Sequence, residues 1–229
     1  MGRPRTHLPI VGSCHIRYPR IFLISLLATI AVYAAACAPR PQPILIDDFE
    51  SGQLSGWETQ LTGSGSWYVY TDGKTPPNPA TSDPTYPFNV PNPPQGKYAA
   101  VTDMDGPGTR ILYKELQLDG PYQLQLTLYY VNSANLFASP DYLTSEGENL
   151  NQQFRIDLLD PSAPVDTIAD QDILATIFQT APGDPKILAP VVITFDLSPW
   201  DGQVVVLRLA NTDNIDPLRV GVDNIRLVP

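Results

Sequence analysis

From Ile44 onward, apolar and polar residues alternate with period two, the pattern of strands that bury one face. Between Tyr122 and Tyr130, Leu124, Leu126 and Leu128 alternate with Gln123, Gln125 and Thr127. Phe154, Ile156 and Leu158 flank Arg155 and Asp157 in the same way, and Val205, Leu207 and Leu209 flank Val206 and Arg208. Further strands are predicted at 44–49, 67–71, 98–102, 110–118, 173–179, 191–197 and 220–227. Asp-Gly pairs at 72–73, 105–106, 119–120 and 201–202, and Pro-Gly pairs at 107–108 and 182–183, supply turn chemistry between them. No segment carries an apolar stripe at helical spacing over three turns. About ten short strands without intervening helices predict an all-β fold, an antiparallel sandwich forming one domain over 44–229 with no internal repeat.

Two segments break the rhythm. Residues 73–96 contain eight prolines together with Tyr86 and Phe88, so they cannot pair as an inner strand. Residues 133–150, with Phe137, Tyr142, Glu146 and Glu148, form a second long connection. Structureless connections of this length in a small domain are commonly functional or disordered.

Upstream of the alternation the chain has a different character. Residues 1–36 combine an arginine-bearing start without acidic residues with an apolar run from Ile21 to Ala36, the layout of a secretory signal. That run is short for a membrane-spanning helix, so cleavage is expected. The stretch Ala34-Ala35-Ala36-Cys37 resembles a bacterial lipobox, which implies lipidation of Cys37 and a membrane contact through a lipid anchor only. Ala34 and Ala36 also satisfy the small-x-small rule of ordinary export with the same cut, so that alternative stays open. Residues 37–43, with prolines at 39, 41 and 43, are expected to form a stiff tether holding the domain about 20 Å from a lipid surface, at ~3.1 Å per residue. The expected location is therefore the bacterial cell envelope or surface.

Setting the leader aside changes the charge and the available chemistry. The whole chain carries a formal charge of −10, but four arginines and both histidines precede residue 37. Ten basic and 24 acidic side chains remain, a formal charge of −14, with no histidine and Cys37 as the only cysteine. Histidine-dependent nucleophilic catalysis, histidine-ligated zinc and internal disulfides are excluded for this remainder, and nucleic acid is not an expected partner. Asp103-Met104-Asp105-Gly106 begins like an EF-hand loop but has Lys114 where the bidentate glutamate belongs, so a tight turn is expected instead.

The two ends of the domain carry a resemblance. It opens with Ile46-Asp47-Asp48-Phe49-Glu50-Ser51-Gly52 and Leu54-Ser55-Gly56-Trp57, and closes with Val220-Gly221-Val222-Asp223-Asn224-Ile225-Arg226-Leu227. Between them lie Gly96-Lys97-Tyr98-Ala99-Ala100-Val101 and Leu197-Ser198-Pro199-Trp200-Asp201-Gly202-Gln203. This set resembles the jelly-roll domains of the galactose-binding-like superfamily, which include many carbohydrate-binding modules. The resemblance implies a jelly-roll β-sandwich whose last strand lies beside the first. It also implies a structural Ca2+ near that junction, with Glu50 and Asp223 as ligands, Asp48 nearby and the Lys97 carbonyl as a further donor.

Function is then expected to be binding rather than catalysis. Sugars stack on aromatic rings and hydrogen-bond to planar polar groups. The candidate platforms are Trp67, Tyr70, Tyr86, Phe88, Phe137 and Tyr142, with carbohydrate or another cell-surface polymer as partner. Trp67, Tyr68 and Tyr70 lie along one strand, so at least one of them faces the core. Two alternatives stay open: an adhesive domain that binds proteins through the same loops, and a glycan-active enzyme using a carboxylate pair.

Overall fold

The alternation becomes eleven antiparallel strands in a computed structural model of the chain, which describes residues 42–71, 90–103 and 106–229. They are β1 (Ile44–Asp47), β2 (Glu58–Gly63), β3 (Ser66–Tyr70), β4 (Ala99–Asp103), β5 (Gly108–Gln117), β6 (Gln123–Asn132), β7 (Gln152–Leu159), β8 (Ile173–Gln179), β9 (Ile187–Asp196), β10 (Val204–Asp213) and β11 (Leu218–Val228). One sheet runs β3-β4-β11-β6-β9, with β1 also paired to β11, and the other runs β2-β5-β10-β7-β8. The two sheets pack as a β-sandwich, as the sequence predicts. Ten of the strands correspond to predicted ones. β2 is additional, because only Gln60 of its six residues is even half-buried and an edge strand of this kind has no apolar alternation to read.

The first strand, β1, lies beside the last, β11. Ile44, Leu45 and Asp47 pair with Leu227, Arg226 and Ile225, while Ala100 and Val101 pair with the first half of the same strand at Val222 and Gly221. Local chemistry turns the chain away after β1. The Asp47 carboxylate accepts the Phe49 amide at 2.7 Å and the Trp57 indole N–H at 2.9 Å. These bonds hold Phe49 at a φ of 58°, fully buried and stacked on Trp57.

Leu124, Leu126 and Leu128 of β6 meet Phe154, Ile156 and Leu158 of β7 and Val205, Leu207 and Leu209 of β10 in one apolar core between the sheets. Each such side chain removed from water contributes about 1.5–3 kcal/mol. At one end this layer becomes polar. There Arg110 donates to Asn211 Oδ1 at 2.7 Å, to Asp213 Oδ2 at 2.8 Å and to the Ser64 carbonyl at 2.9 Å. A charge buried in this way persists only because its donors are satisfied.

Candidate functional site

Three of the six predicted platform rings, Trp67, Tyr70 and Phe137, are enclosed. Trp67 is 4% exposed in the core, its indole donating to the Arg110 carbonyl, and Phe137 is 3% exposed against Tyr130. Tyr70 is 2% exposed on the other face of its sheet, packed with Tyr68, Val90 and Tyr129. Rings enclosed this far leave no face for a sugar. The reason is that strand alternation feeds both faces of this sheet into apolar layers. Tyr142 is half-buried in the connection from β6 to β7. Tyr86, Phe88 and Cys37 lie outside the described residues.

The residues of the implied calcium site do converge. Glu50 Oε1 accepts the amides of Lys97 at 2.7 Å and Tyr98 at 2.9 Å, which holds its carboxyl below the ordinary carboxylate value. Asp223 is fully buried, with Oδ2 accepting the Gln95 amide at 3.0 Å and Oδ1 without a hydrogen-bond partner among the described residues. Burial pushes the Asp223 carboxyl up to about 6, and the negative charges of Glu50 and Asp48 add to the effect. Asp48 spends Oδ1 on the Glu50 amide at 3.2 Å. Among the described residues no group of three or more His, Cys, Asp or Glu side chains is arranged to hold a metal ion, so the oxygens around Asp223 would have to come partly from the main chain.

A second polar site, absent from the sequence reading, covers the outer face of the β2-β5-β10-β7-β8 sheet. Arg155 and Asp157 of β7 and Arg208 of β10 lie there, and both Asp157 and Arg208 are fully buried. Asp157 accepts from Arg155 Nε at 2.7 Å and Nη2 at 2.8 Å, from Arg208 Nη2 at 2.5 Å, and from the Thr176 hydroxyl at 3.0 Å. Burial pulls the Arg208 guanidinium below its ordinary value, against the opposing pull of Asp157. Its Nη1 donates to the carbonyls of Val165 at 2.9 Å and Thr167 at 2.5 Å.

Those carbonyls belong to residues 160–172, a compact strap between β7 and β8 whose base is closed by the Asp160 amide on the Asp172 carbonyl at 3.0 Å. The 133–151 connection is held in the same manner. Gln153 Nε2 donates to the Tyr142 carbonyl at 3.1 Å, Asn151 Nδ2 to the Thr144 carbonyl at 2.8 Å, and the Thr109 hydroxyl to the Leu143 carbonyl at 2.7 Å. Much of the polarity of this sheet face is therefore engaged in satisfying loop carbonyls that would otherwise be buried without donors. The two loops meet above the central strand, where Leu143, Val165 and Ile168 pack on Ile111 and Ala210.

On either side of this bridge a cleft remains. One, of 390 Å³, lies over β7 and β8 and is lined by Arg155, Thr176, Gln179, Asp141 and Asp170. The other, of 220 Å³, lies over β2 and β5 and is lined by Gln60, Thr62, Thr109, Thr144, Glu146 and Asp166. Gln60 Nε2 donates to Asp166 at 3.0 Å, tying the tip of the strap to the edge strand. In the sequence Arg155, Asp157 and Arg208 look like the solvent-facing half of ordinary alternation. Only the long 160–172 interval, which contains no predicted strand, signals that something covers them.

No protein-family model matches the chain, and no curated protein matches it. Solved structures do. TmCBM61, in complex with β-1,4-galactotriose, is 14% identical over 82% of this chain and 99% of its own, with a TM-score of 0.42. The K3 cleaved adhesin domain of Lys-gingipain from Porphyromonas gingivalis is 11% identical over 82% and 99%, with a TM-score of 0.47. A Stig cyclase from Fischerella is 18% identical over 81% and 97%, with a TM-score of 0.42.

Proposed function

We propose that this protein is a non-catalytic binding module that takes carbohydrate in the clefts of the loop-covered sheet, at a bacterial cell surface. The observation that carries the reading is the pair of clefts, whose hydroxyl, amide and carboxylate linings match the polar groups that orient sugars. Asp141 and Asp170 line one cleft together, yet both are exposed, whereas the acid of a glycoside-cleaving pair retains its proton through burial. Calorimetric titration against linear β-1,3- and β-1,4-linked gluco- and galacto-oligosaccharides is expected to give saturable binding to at least one of them, with no new reducing ends on prolonged incubation. Release of reducing ends would replace the binding module with an enzyme. Silence across the panel, with saturable binding to an envelope protein, would favour the adhesin.

The anchor is part of the same proposal. Lipidation of Cys37 after removal of residues 1–36 holds the domain to the membrane through the proline tether. Cys37→Ser is expected to move the protein from the membrane pellet to the soluble fraction. Retention in the pellet would rule the anchor out.

Calcium is the proposed structural cofactor, with Asp223 and Glu50 as carboxylate ligands, Asp48 nearby and the Lys97 carbonyl as a main-chain donor. The unsatisfied Asp223 Oδ1 supports the assignment, because a buried carboxylate oxygen without a donor is costly and a hard cation would satisfy it. Calcium should raise the melting temperature by mass action and EDTA should lower it. In EDTA the pH dependence has a definite sign. The folded-state value of about 6 lies above the unfolded value of ~3.9, so folded Asp223 binds its proton more tightly. Its contribution to stability therefore grows as pH falls from above 6 towards 4. Calcium competes with that proton, and its stabilising effect should be largest above pH 6. A calcium effect that is flat across this range would detach it from Asp223.

A further inference from the structure

We infer that the carbohydrate site accepts the end of a glycan chain rather than its middle, and that the terminal ring enters the 390 Å³ cleft beside Arg155. The inference rests on the carbohydrate reading above and adds which part of the polymer is recognised. A glycan bound along its length would need a continuous groove across the strands of the covered sheet. Here the central strand is closed: the outward-facing Arg208, Ala210 and Thr212 are all fully buried. Two loops close it from opposite directions. Val165 and Ile168 of the strap meet Leu143 of the 133–151 connection, and Gln60 extends the closure to the edge strand through Asp166.

The bridge is fixed to the sheet. Arg208 holds it through two main-chain carbonyls, and Arg208 is itself locked by Asp157. What remains is a separate cleft on each side. Only the one over β7 and β8 reaches the roughly 300–1,000 Å³ of ordinary ligand sites. That cleft also holds an unspent donor. Arg155 is 6% exposed and commits Nε and Nη2 to Asp157, while Nη1 has no protein acceptor among the described residues. Exposed Asp141 and Asp170 face the same space as acceptors. One donor edge and two carboxylates suit the neighbouring hydroxyls of a neutral terminal ring.

The test uses the full chain, produced with its leader, and those linear gluco- and galactans that bind in the panel above. A polymer of fixed mass is shortened by partial endo-cleavage, and bound protein at saturation is measured against the number of chain ends. Capacity is expected to rise in proportion to ends, reaching one protein per chain. Capacity that follows polymer mass and ignores cleavage would overturn end recognition while leaving carbohydrate binding intact, whereas no binding to any member would remove the carbohydrate reading itself. Asp141→Ala and Asp170→Ala, both at exposed positions, are each expected to weaken oligosaccharide binding at least tenfold with unchanged melting temperature. Asp201→Ala, exposed in the turn before β10 and outside both clefts, is expected to leave it unchanged. Full binding by both the Asp141 and the Asp170 variant would remove the terminal ring from this cleft.

Discussion

Asp157→Ala is expected to cost about 3–5 kcal/mol of stability, the range for removing one partner of a buried ion pair. The fully buried carboxylate accepts from two guanidinium groups and a threonine hydroxyl. Its removal leaves Arg208, itself fully buried, without an anion, and leaves Arg155 without its bidentate partner. For a domain of this size the loss corresponds to a fall in melting temperature on the order of 10 °C. The strap should loosen as well, because the guanidinium that holds the Val165 and Thr167 carbonyls loses its own anchor. Limited proteolysis should therefore cut within 160–172 in the variant and not in the parent. Asp157→Asn retains an acceptor oxygen without the charge, and should fall between the two in both measurements. A melting temperature within 2 °C of the parent for Asp157→Ala would show that the strap stands without this triad.

The second large effect is expected at Gly221. It lies directly across from Tyr129 in the β6–β11 register, and the tyrosine ring covers it. A Cβ built there would meet Tyr129 Cε2 at 2.0 Å and Cζ at 2.1 Å, well inside contact distance. Tyr129 cannot yield easily. It is fully buried, and its hydroxyl is 2.6 Å from that of Tyr70, which donates its proton to the Pro91 carbonyl at 2.7 Å. Since Tyr70 has one proton and spends it on Pro91, Tyr129 is the donor between the two hydroxyls. The pair pins the end of the proline-rich connection to the sheet, and burial pushes the Tyr129 hydroxyl far above the usual tyrosine value. Gly221→Ala should cost about 1–3 kcal/mol for overpacking and about 1 kcal/mol more for the broken hydrogen bond. Tyr129→Ala alone is also destabilising, but the double variant should be less damaged than the sum of the two. Strict additivity in a chemical-denaturation cycle would mean that the ring does not sit over the glycine.

How far each of these features could be read beforehand differs, for physical reasons. Leu124, Leu126 and Leu128 identified their strand because one of its faces meets the apolar core, and period two records that contrast directly. β2 left no such trace, since an exposed edge strand is held by main-chain pairing to β5 rather than by a buried face. Asp48, Glu50, Lys97 and Asp223 were placed near one another by the resemblance at the two ends, and the β1–β11 pairing provides the geometry for it. Trp67, Tyr70 and Phe137 differ from the expectation because a ring that packs on an apolar layer looks, in sequence, like a ring presented to solvent. Tyr70 is the clearest case. Its outward face is covered by Val90 and by Tyr129 of another strand, neither of which is near it in the chain.

By itself the sequence determined the all-β class, the antiparallel sandwich and most of its strands. These follow from local properties: side-chain polarity at alternate positions and turn residues. The tertiary structure decided which outward faces are open. Arg155, Asp157 and Arg208 occupy positions that alternation assigns to solvent, and they become buried because two loops fold back across the sheet. Whether a charged side chain faces water or a loop carbonyl depends on contacts between residues as far apart as Asp157 and Arg208 or Gln60 and Asp166. Periodicity is blind to such contacts, because it records only what a strand does to its own two faces.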